Sequence, residues 1–127
     1  MSELIAVVDD LMFLSRIREA GRAAGIEVRA VRGASELLEA ARNDARLVLV
    51  DADSERLPWQ AAIAALRADA AAATLPVVAF VSHVRADRAE AARLAGATRV
   101  LARSAFVKEL PELVAQAAQP RAEEPVS

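Results

Sequence analysis

The chain has 127 residues, of which 55% are hydrophobic and 27% are charged, and its formal net charge is -2. This length and composition predict one folded globular domain and argue against a disordered chain. The absence of cysteine excludes disulfides and thiol chemistry, and the lack of a basic stripe argues against nucleic-acid binding. Since the N-terminus does not resemble a signal peptide and no apolar run approaches a membrane span, we expect a soluble, cytoplasmic protein without membrane contacts.

Five short apolar runs predict β-strands. They lie at residues 4–8, 26–31, 47–50, 77–81 and 99–102. The first, third and fourth runs are continuously apolar, which is typical of strands covered by helices on both faces of a parallel sheet. The second run alternates apolar and polar residues, which predicts a strand at the edge of the sheet.

Helical periodicity fills each gap between these runs and continues after the last one. Gly25 and Gly96 predict the ends of the first and fourth helices. Ser35 is the predicted N-cap of the second helix, and Pro58 the first residue of the third. Pro111 predicts that the fifth helix begins only there, after a short turn.

Strands that alternate with helices predict an α/β fold with a five-stranded, parallel, doubly wound sheet. The first strand is continuously apolar, which places it inside the sheet, between the second strand and the third. We expect one domain at 1–118 and a flexible tail at 119–127, which contains two prolines and two glutamates and has no apolar periodicity. In such sheets ligands bind at the carboxyl ends of the strands, where the strand order reverses.

Acidic residues follow two of the predicted strands. Asp9 and Asp10 come directly after the first strand, Asp51 follows the third, and Asp53 stands two residues beyond it; these four residues are called the acidic cluster. Like charges this close are costly without a cation, and Mg²⁺ is the natural partner of carboxylate and carbonyl oxygens. A single aspartate here would more often cap a helix or end a strand, but the pair together with Asp51 favours a metal site.

The runs that lead into these aspartates resemble a known family. The run IAVVDD at 5–10 and the run LVLVD at 47–51 resemble the first and third strands of bacterial response-regulator receiver domains. The run LPVV at 75–78 and the run AGA at 95–97 resemble the fourth strand and the entry to the fifth. The resemblance covers roughly residues 4–118 and implies a flavodoxin-like (βα)5 fold with strand order 2-1-3-4-5.

The resemblance also implies a function in two-component phosphorelay signalling. Asp51 matches the family's phosphorylated aspartate, with Asp10 and Asp51 as direct Mg²⁺ ligands, Asp9 acting mainly through water, and Asp53 lending its backbone carbonyl. A histidine kinase or phosphotransfer protein would supply the phosphoryl group, and a downstream protein would read a surface around the fourth and fifth helices. The domain would not be an enzyme beyond its own phosphotransfer and dephosphorylation.

Several positions depart from the family's pattern. Arg103 stands where the family has a lysine, and Ser104 stands where a proline usually follows it. Arginine keeps the positive charge but not the compact ammonium group that reaches a phosphoryl oxygen. Val81 falls at the position of the family's Ser or Thr, so Ser82, one residue later, is the candidate switch hydroxyl. His83, the only histidine, is more simply a loop residue than a functional one.

Three functions stay open at this point. The first is a stand-alone receiver that is phosphorylated on Asp51 with Mg²⁺ and acts through protein–protein interaction. The second is a pseudo-receiver that is not phosphorylated and acts as a constitutive protein-binding module. A small flavodoxin-like enzyme or nucleotide-binding protein is the weakest of the three, because no glycine-rich phosphate loop follows the first strand and no nucleophile–base pair is evident.

Overall fold

The computed structural model describes residues 3–82 and 85–119, in which five strands alternate with five helices. In chain order the elements are β1 (Glu3–Val7), α1 (Leu11–Ala24), β2 (Glu27–Ala30), α2 (Ala34–Ala41), β3 (Ala45–Asp51), α3 (Trp59–Ala68), β4 (Val77–Val81), α4 (Ala86–Ala95), β5 (Arg99–Ala102) and α5 (Arg103–Ala118). Each strand matches its predicted run to within two residues at either end. Within the same residues, no helix combines the length and hydrophobicity needed to cross a bilayer.

The strands form one sheet in the order β2-β1-β3-β4-β5, and every neighbouring pair is parallel. This confirms the predicted doubly wound α/β fold, including the central position of β1 and the edge position of β2. The register pairs Val7 with Val50, and Asp51 with Phe80. The carboxyl ends of β1, β3 and β4 therefore lie side by side, which brings the segments after them to one edge of the sheet.

Two hydrophobic cores cover the faces of the sheet. Because successive side chains of a strand point to opposite faces, Ile5 and Val7 enter one core, whereas Leu4 and Ala6 enter the other. Helices α2, α3 and α4 close the first core, and α1 and α5 close the second. Burial on both faces explains why the central strands are continuously apolar.

The prediction for the fifth helix was wrong. Helix α5 begins at Arg103, directly after β5, and passes through Pro111 without a break. A proline inside a helix costs about 3 kcal/mol, because one backbone hydrogen bond is lost. Phe106, Leu110 and Val114 are buried along one continuous face of this helix, and each contributes roughly 1.5 to 3 kcal/mol of hydrophobic stabilisation, which outweighs that cost.

The predicted N-cap of the second helix was also wrong. Ser35 is the second residue of α2, and the N-cap is Gly33, which makes no side-chain hydrogen bond. The predicted ends of the first and fourth helices are confirmed, since Gly25 and Gly96 adopt left-handed conformations directly after α1 and α4. His83 and residues 120–127 lie outside the described residues, so the predictions made for them stay predictions.

Candidate functional site

Asp51 is the last residue of β3, and its side chain is almost completely buried. Its Oδ1 accepts a hydrogen bond of 2.9 Å from the backbone N–H of Asp53. Burial raises the pKa of Asp51 above its ordinary value, because a carboxylate loses its hydration. The Asp53 N–H and the Arg103 guanidinium act in the opposite direction, whereas the charges of Asp53 and Asp9 add to the rise.

Asp10 serves as the N-cap of α1. Its Oδ1 accepts hydrogen bonds from the backbone N–H groups of Met12 and Phe13, at 3.0 and 3.2 Å. These two groups have no partner inside the helix, so an acidic N-cap stabilises this end of α1. One oxygen of Asp10 is therefore committed to the helix, and the other, Oδ2, is directed toward Arg103.

Arg103 is the cation of this site. As the first residue of α5 it follows β5 directly, and its guanidinium contacts three members of the acidic cluster. Nη1 lies 3.0 Å from Asp53 Oδ2 and 3.5 Å from Asp51 Oδ1, and Nη2 lies 3.4 Å from Asp10 Oδ2. A planar guanidinium presents its donors in a rigid fork, so one side chain can bridge carboxylates from three separate segments.

The guanidinium of Arg103 packs against two aromatic rings. The central carbon of the Arg103 guanidinium lies 4.1 Å from the ring centroid of Phe13 and 5.5 Å from that of Phe80. Phe80 in turn stacks on Phe106 at 4.2 Å. A cation over an aromatic face gains about 0.5 to 2 kcal/mol, and the ring also limits the orientations that the side chain can adopt. The hydrophobic core thus holds the cation in place.

Asp53 contributes its carboxylate to the site. Its Oδ2 accepts a hydrogen bond of 2.9 Å from the backbone N–H of Ser82, the first residue after β4, and another of 3.0 Å from Arg103 Nη1. Its Oδ1 is buried and has no hydrogen-bond partner among the described residues. Asp53 therefore joins the end of β3 to the ends of β4 and β5.

The loop after Asp51 is held in shape by its own polar groups and by α4. The Ser54 hydroxyl accepts hydrogen bonds from the N–H groups of Arg56 and Leu57. Arg88 on α4 donates to the backbone carbonyls of Ala52 and Ser54, at 3.0 Å each. These bonds determine the path of the chain at Asp53 and so direct its carboxylate toward β4.

The carboxylates of this site are paired with a side chain of the protein. The described residues contain no group of three acidic or histidine side chains that could hold a metal ion. Instead, Asp10, Asp51 and Asp53 are all directed at Arg103, and one oxygen of Asp10 caps α1. A metal ion would have to compete with the guanidinium for the same oxygens. The predicted ligand set, with Asp9 and the carbonyl of Asp53, stays a prediction.

Sequence reasoning placed most of these residues correctly, but not all of their contacts. Asp51, Asp10 and Arg103 lie together as expected, and Asp9 is near enough for its charge to affect Asp51. Among the described contacts, Ser82 reaches the site through its backbone N–H and not through its hydroxyl. The roles proposed for these residues in phosphorylation and switching stay predictions.

Three contributions were missed. The first is the pairing of the Asp53 carboxylate with Ser82 and Arg103: Asp53 was counted in the acidic cluster, but only its backbone carbonyl was given a role. The second is the aromatic support of Arg103 by Phe13, which no sequence pattern indicated. The third is the contact of Arg88 with the loop, since nothing in the sequence around Arg88 indicates which segment it contacts.

No protein-family model and no curated protein matches the sequence of this chain. Its fold, in contrast, matches solved structures along almost its whole length. A response regulator protein from Burkholderia multivorans is 29% identical, with a TM-score of 0.70, and the match covers 96% of this chain and 98% of that one. A response regulator from Hahella chejuensis is 18% identical, with a TM-score of 0.77 and coverage of 95% and 100%.

A third similar structure is the receiver domain of a sensor histidine kinase from Pseudomonas aeruginosa, which has a magnesium ion coordinated in its active-site cleft. It is 22% identical, with a TM-score of 0.74, and the match covers 91% of this chain and 96% of that domain. The strand order and the alternation of strands with helices agree with this likeness. The chain is therefore a receiver-like domain with the fold of the response-regulator receivers, the family that its sequence resembles.

Proposed function

We propose that this domain is a pseudo-receiver: a signalling module of the two-component type that is not phosphorylated and acts by binding a partner protein. The observation that carries the proposal is the placement of the Arg103 guanidinium, which lies within 3.5 Å of carboxylate oxygens of Asp10, Asp51 and Asp53. In this state one oxygen of each of these three carboxylates already has a cationic partner.

Exposed apolar side chains support a role in protein binding. Leu11 and Met12 at the start of α1 are 79% and 75% exposed, and Leu94 on α4 is 79% exposed. Leu11 and Met12 follow Asp10 directly, so they lie at the rim of the acidic cluster. Large apolar side chains are enriched in protein interfaces, and Leu11 and Met12 lie next to Asp10 of the acidic cluster.

A second candidate is a receiver that is phosphorylated on Asp51. The observation in its favour is the position of Asp51 at the end of β3, beside Asp10 and a cation. In that reaction an Asp51 oxygen would attack the phosphorus of a kinase phosphohistidine. The new O–P bond would form as the N–P bond breaks, and the electron pair of that bond would return to the histidine. Arg103 would have to withdraw from Asp51 first.

A phosphodonor experiment separates the two functions. The chain is incubated with acetyl phosphate and Mg²⁺ at neutral pH, and intact mass spectrometry detects any phosphoryl adduct. We expect no adduct on the wild-type chain. An adduct that is present on the wild type and absent from Asp51→Asn would overturn the pseudo-receiver and establish the second candidate. Arg103→Lys serves as the comparison, since it should allow an adduct on Asp51 if the arginine is what prevents one.

A further inference from the structure

The Asp53 carboxylate occupies a small anion site at the ends of three strands. Its Oδ2 receives the Ser82 N–H from the end of β4 at 2.9 Å and the Arg103 Nη1 from the start of α5 at 3.0 Å. One donor is a backbone group and the other a charged guanidinium, and both converge on one oxygen. Such a pair of donors from separate elements is how proteins bind the oxygens of anionic ligands.

Neither donor depends on Asp53 alone for its position. Ser82 follows directly on the buried strand β4, and the register of β4 against β3 and β5 limits where its N–H lies. The Arg103 guanidinium is held over Phe13 and is also paired with Asp10 and Asp51. If the Asp53 side chain were absent, the two donors would stay close enough to receive another anion, but no group would link them.

The Asp53 carboxylate is bound there as a ligand, not merely packed. Its side chain is 18% exposed, and its other oxygen, Oδ1, is buried with no hydrogen-bond partner among the described residues. Leaving that oxygen unsatisfied costs free energy, and the two hydrogen bonds of Oδ2, one of them from a charged group, offset part of this cost. The hydrogen bonds that Ser54 and Arg88 make within this loop hold the main chain so that Oδ2 of Asp53 reaches both donors.

We propose that Asp53 is a built-in anionic ligand that bridges the ends of β3, β4 and α5 and holds this edge of the domain in a single ligand-bound conformation. The proposal rests on the proposed function, because a module with an internal anion needs no phosphoryl transfer to reach that conformation.

Chemical rescue with formate tests this proposal. Asp53→Ala removes the carboxylate and leaves a space of its size, which a formate ion can fill. Hydrogen exchange of the Ser82 N–H, measured by NMR, should accelerate about tenfold or more in this variant, because a hydrogen bond to a charged group contributes roughly 1.5 to 3 kcal/mol. Added formate should reverse the change in a saturable manner, whereas chloride at the same ionic strength should not.

Two variants serve as controls. Asp53→Asn fills the same space with a neutral group, so formate should have no saturable effect on it. Glu109→Ala removes one negative charge from an exposed side chain that pairs with Arg99 outside the cluster, and should leave the Ser82 exchange rate unchanged. If Asp53→Ala leaves that rate unchanged, or formate does not restore it in the folded variant, the proposal is wrong. Phosphorylation of the wild-type chain would overturn the proposed function but would leave the result of the formate experiment unaffected, because that experiment uses no phosphodonor.

Discussion

The guanidinium of Arg103 lies over the ring of Phe13, with its central carbon 4.1 Å from the ring centroid. This contact joins the hydrophobic core beneath the sheet's edge to the acidic cluster above it. Phe13 belongs to α1 and Arg103 to α5, and the two helices pack on the same face of the sheet. The position of the guanidinium therefore depends on how these two helices pack. That position in turn decides how far the positive charge of Arg103 offsets the negative charges of the acidic cluster.

Arg103→Ala should lower the free energy of unfolding by about 1 to 3 kcal/mol, because buried Asp51 and Asp53 lose their cationic partner. Arg103→Lys should lower the free energy of unfolding by a smaller amount, since lysine keeps the positive charge but lacks the fork geometry of the guanidinium. Urea unfolding followed by circular dichroism measures both. Arg99→Ala is the matched control: it removes an exposed ion pair with Glu109 and should cost less than about 1 kcal/mol. Equal losses for Arg103→Ala and Arg99→Ala would contradict this account.

Mg²⁺ should stabilise Arg103→Ala more than it stabilises the wild-type chain. Without the guanidinium the acidic cluster keeps its mutual repulsion, and a divalent cation relieves it. A ligand that binds only the folded state stabilises it by RT ln(1 + [L]/Kd), so the melting temperature rises with the ligand concentration. Differential scanning calorimetry with and without Mg²⁺ measures the shift. In the double variant Arg103→Ala, Asp51→Asn, most of the increase in melting temperature caused by Mg²⁺ should disappear. Identical Mg²⁺ shifts in the wild type and in Arg103→Ala would show that the arginine does not compete with the metal.

Asp51→Asn should raise stability at neutral pH and have little effect at low pH. The folded-state pKa of Asp51 lies above its unfolded value, chiefly because of burial. The native state therefore binds more protons than the unfolded state between those two values, and stability falls as the pH rises from about 4 through the folded-state pKa. Asparagine does not ionise, so the variant does not lose this stability as the pH rises. Urea unfolding across pH 3 to 8 should show a difference that grows with pH. A stability difference that is the same at every pH would contradict this prediction.

Three glycines should respond differently to substitution by alanine. Gly33→Ala should change stability little, because Gly33 has an extended backbone and a Cβ there would meet nothing closer than 3.8 Å. Gly25→Ala should cost about 1 to 2 kcal/mol, since its φ is +75° but the space is open. Gly96→Ala should cost the most: its φ is +118°, and the new Cβ would lie 2.5 Å from Arg67 Cγ. Thermal unfolding that ranks the three in another order would contradict the prediction.

The steric cost at Gly96 has an identifiable cause. The Arg67 side chain donates to the carbonyls of Gly96, Ala73 and Leu75, and to the hydroxyl of Thr98. The Thr98 hydroxyl also accepts the N–H of Val77, at the start of β4. Displacing Arg67 would therefore loosen the end of the sheet opposite the acidic cluster, while the candidate site should keep its contacts.

The sequence predicted the ten elements and their order, but it failed where local and tertiary preferences disagree. Pro111 signals a helix start in isolation, yet α5 runs through it because Phe106 and Leu110 on one side of the proline, and Val114 on the other, are buried in the same core. Ser35 is a favourable N-cap by residue type, yet α2 begins at Ala34. In both cases a single-residue preference of a few kcal/mol or less was overridden by packing.

What the sequence determined by itself was the sheet and the residues at its edge. Apolar periodicity is a local property, and parallel strands with short connections leave Asp10, Asp51 and Arg103 at the same end. What only the tertiary structure decided was how these charges pair. The Asp53 carboxylate meets an N–H from Ser82 and a guanidinium from Arg103, which are 29 and 50 residues away along the chain. Such contacts depend on side-chain rotamers that are chosen only when distant segments pack together, so no local pattern encodes them.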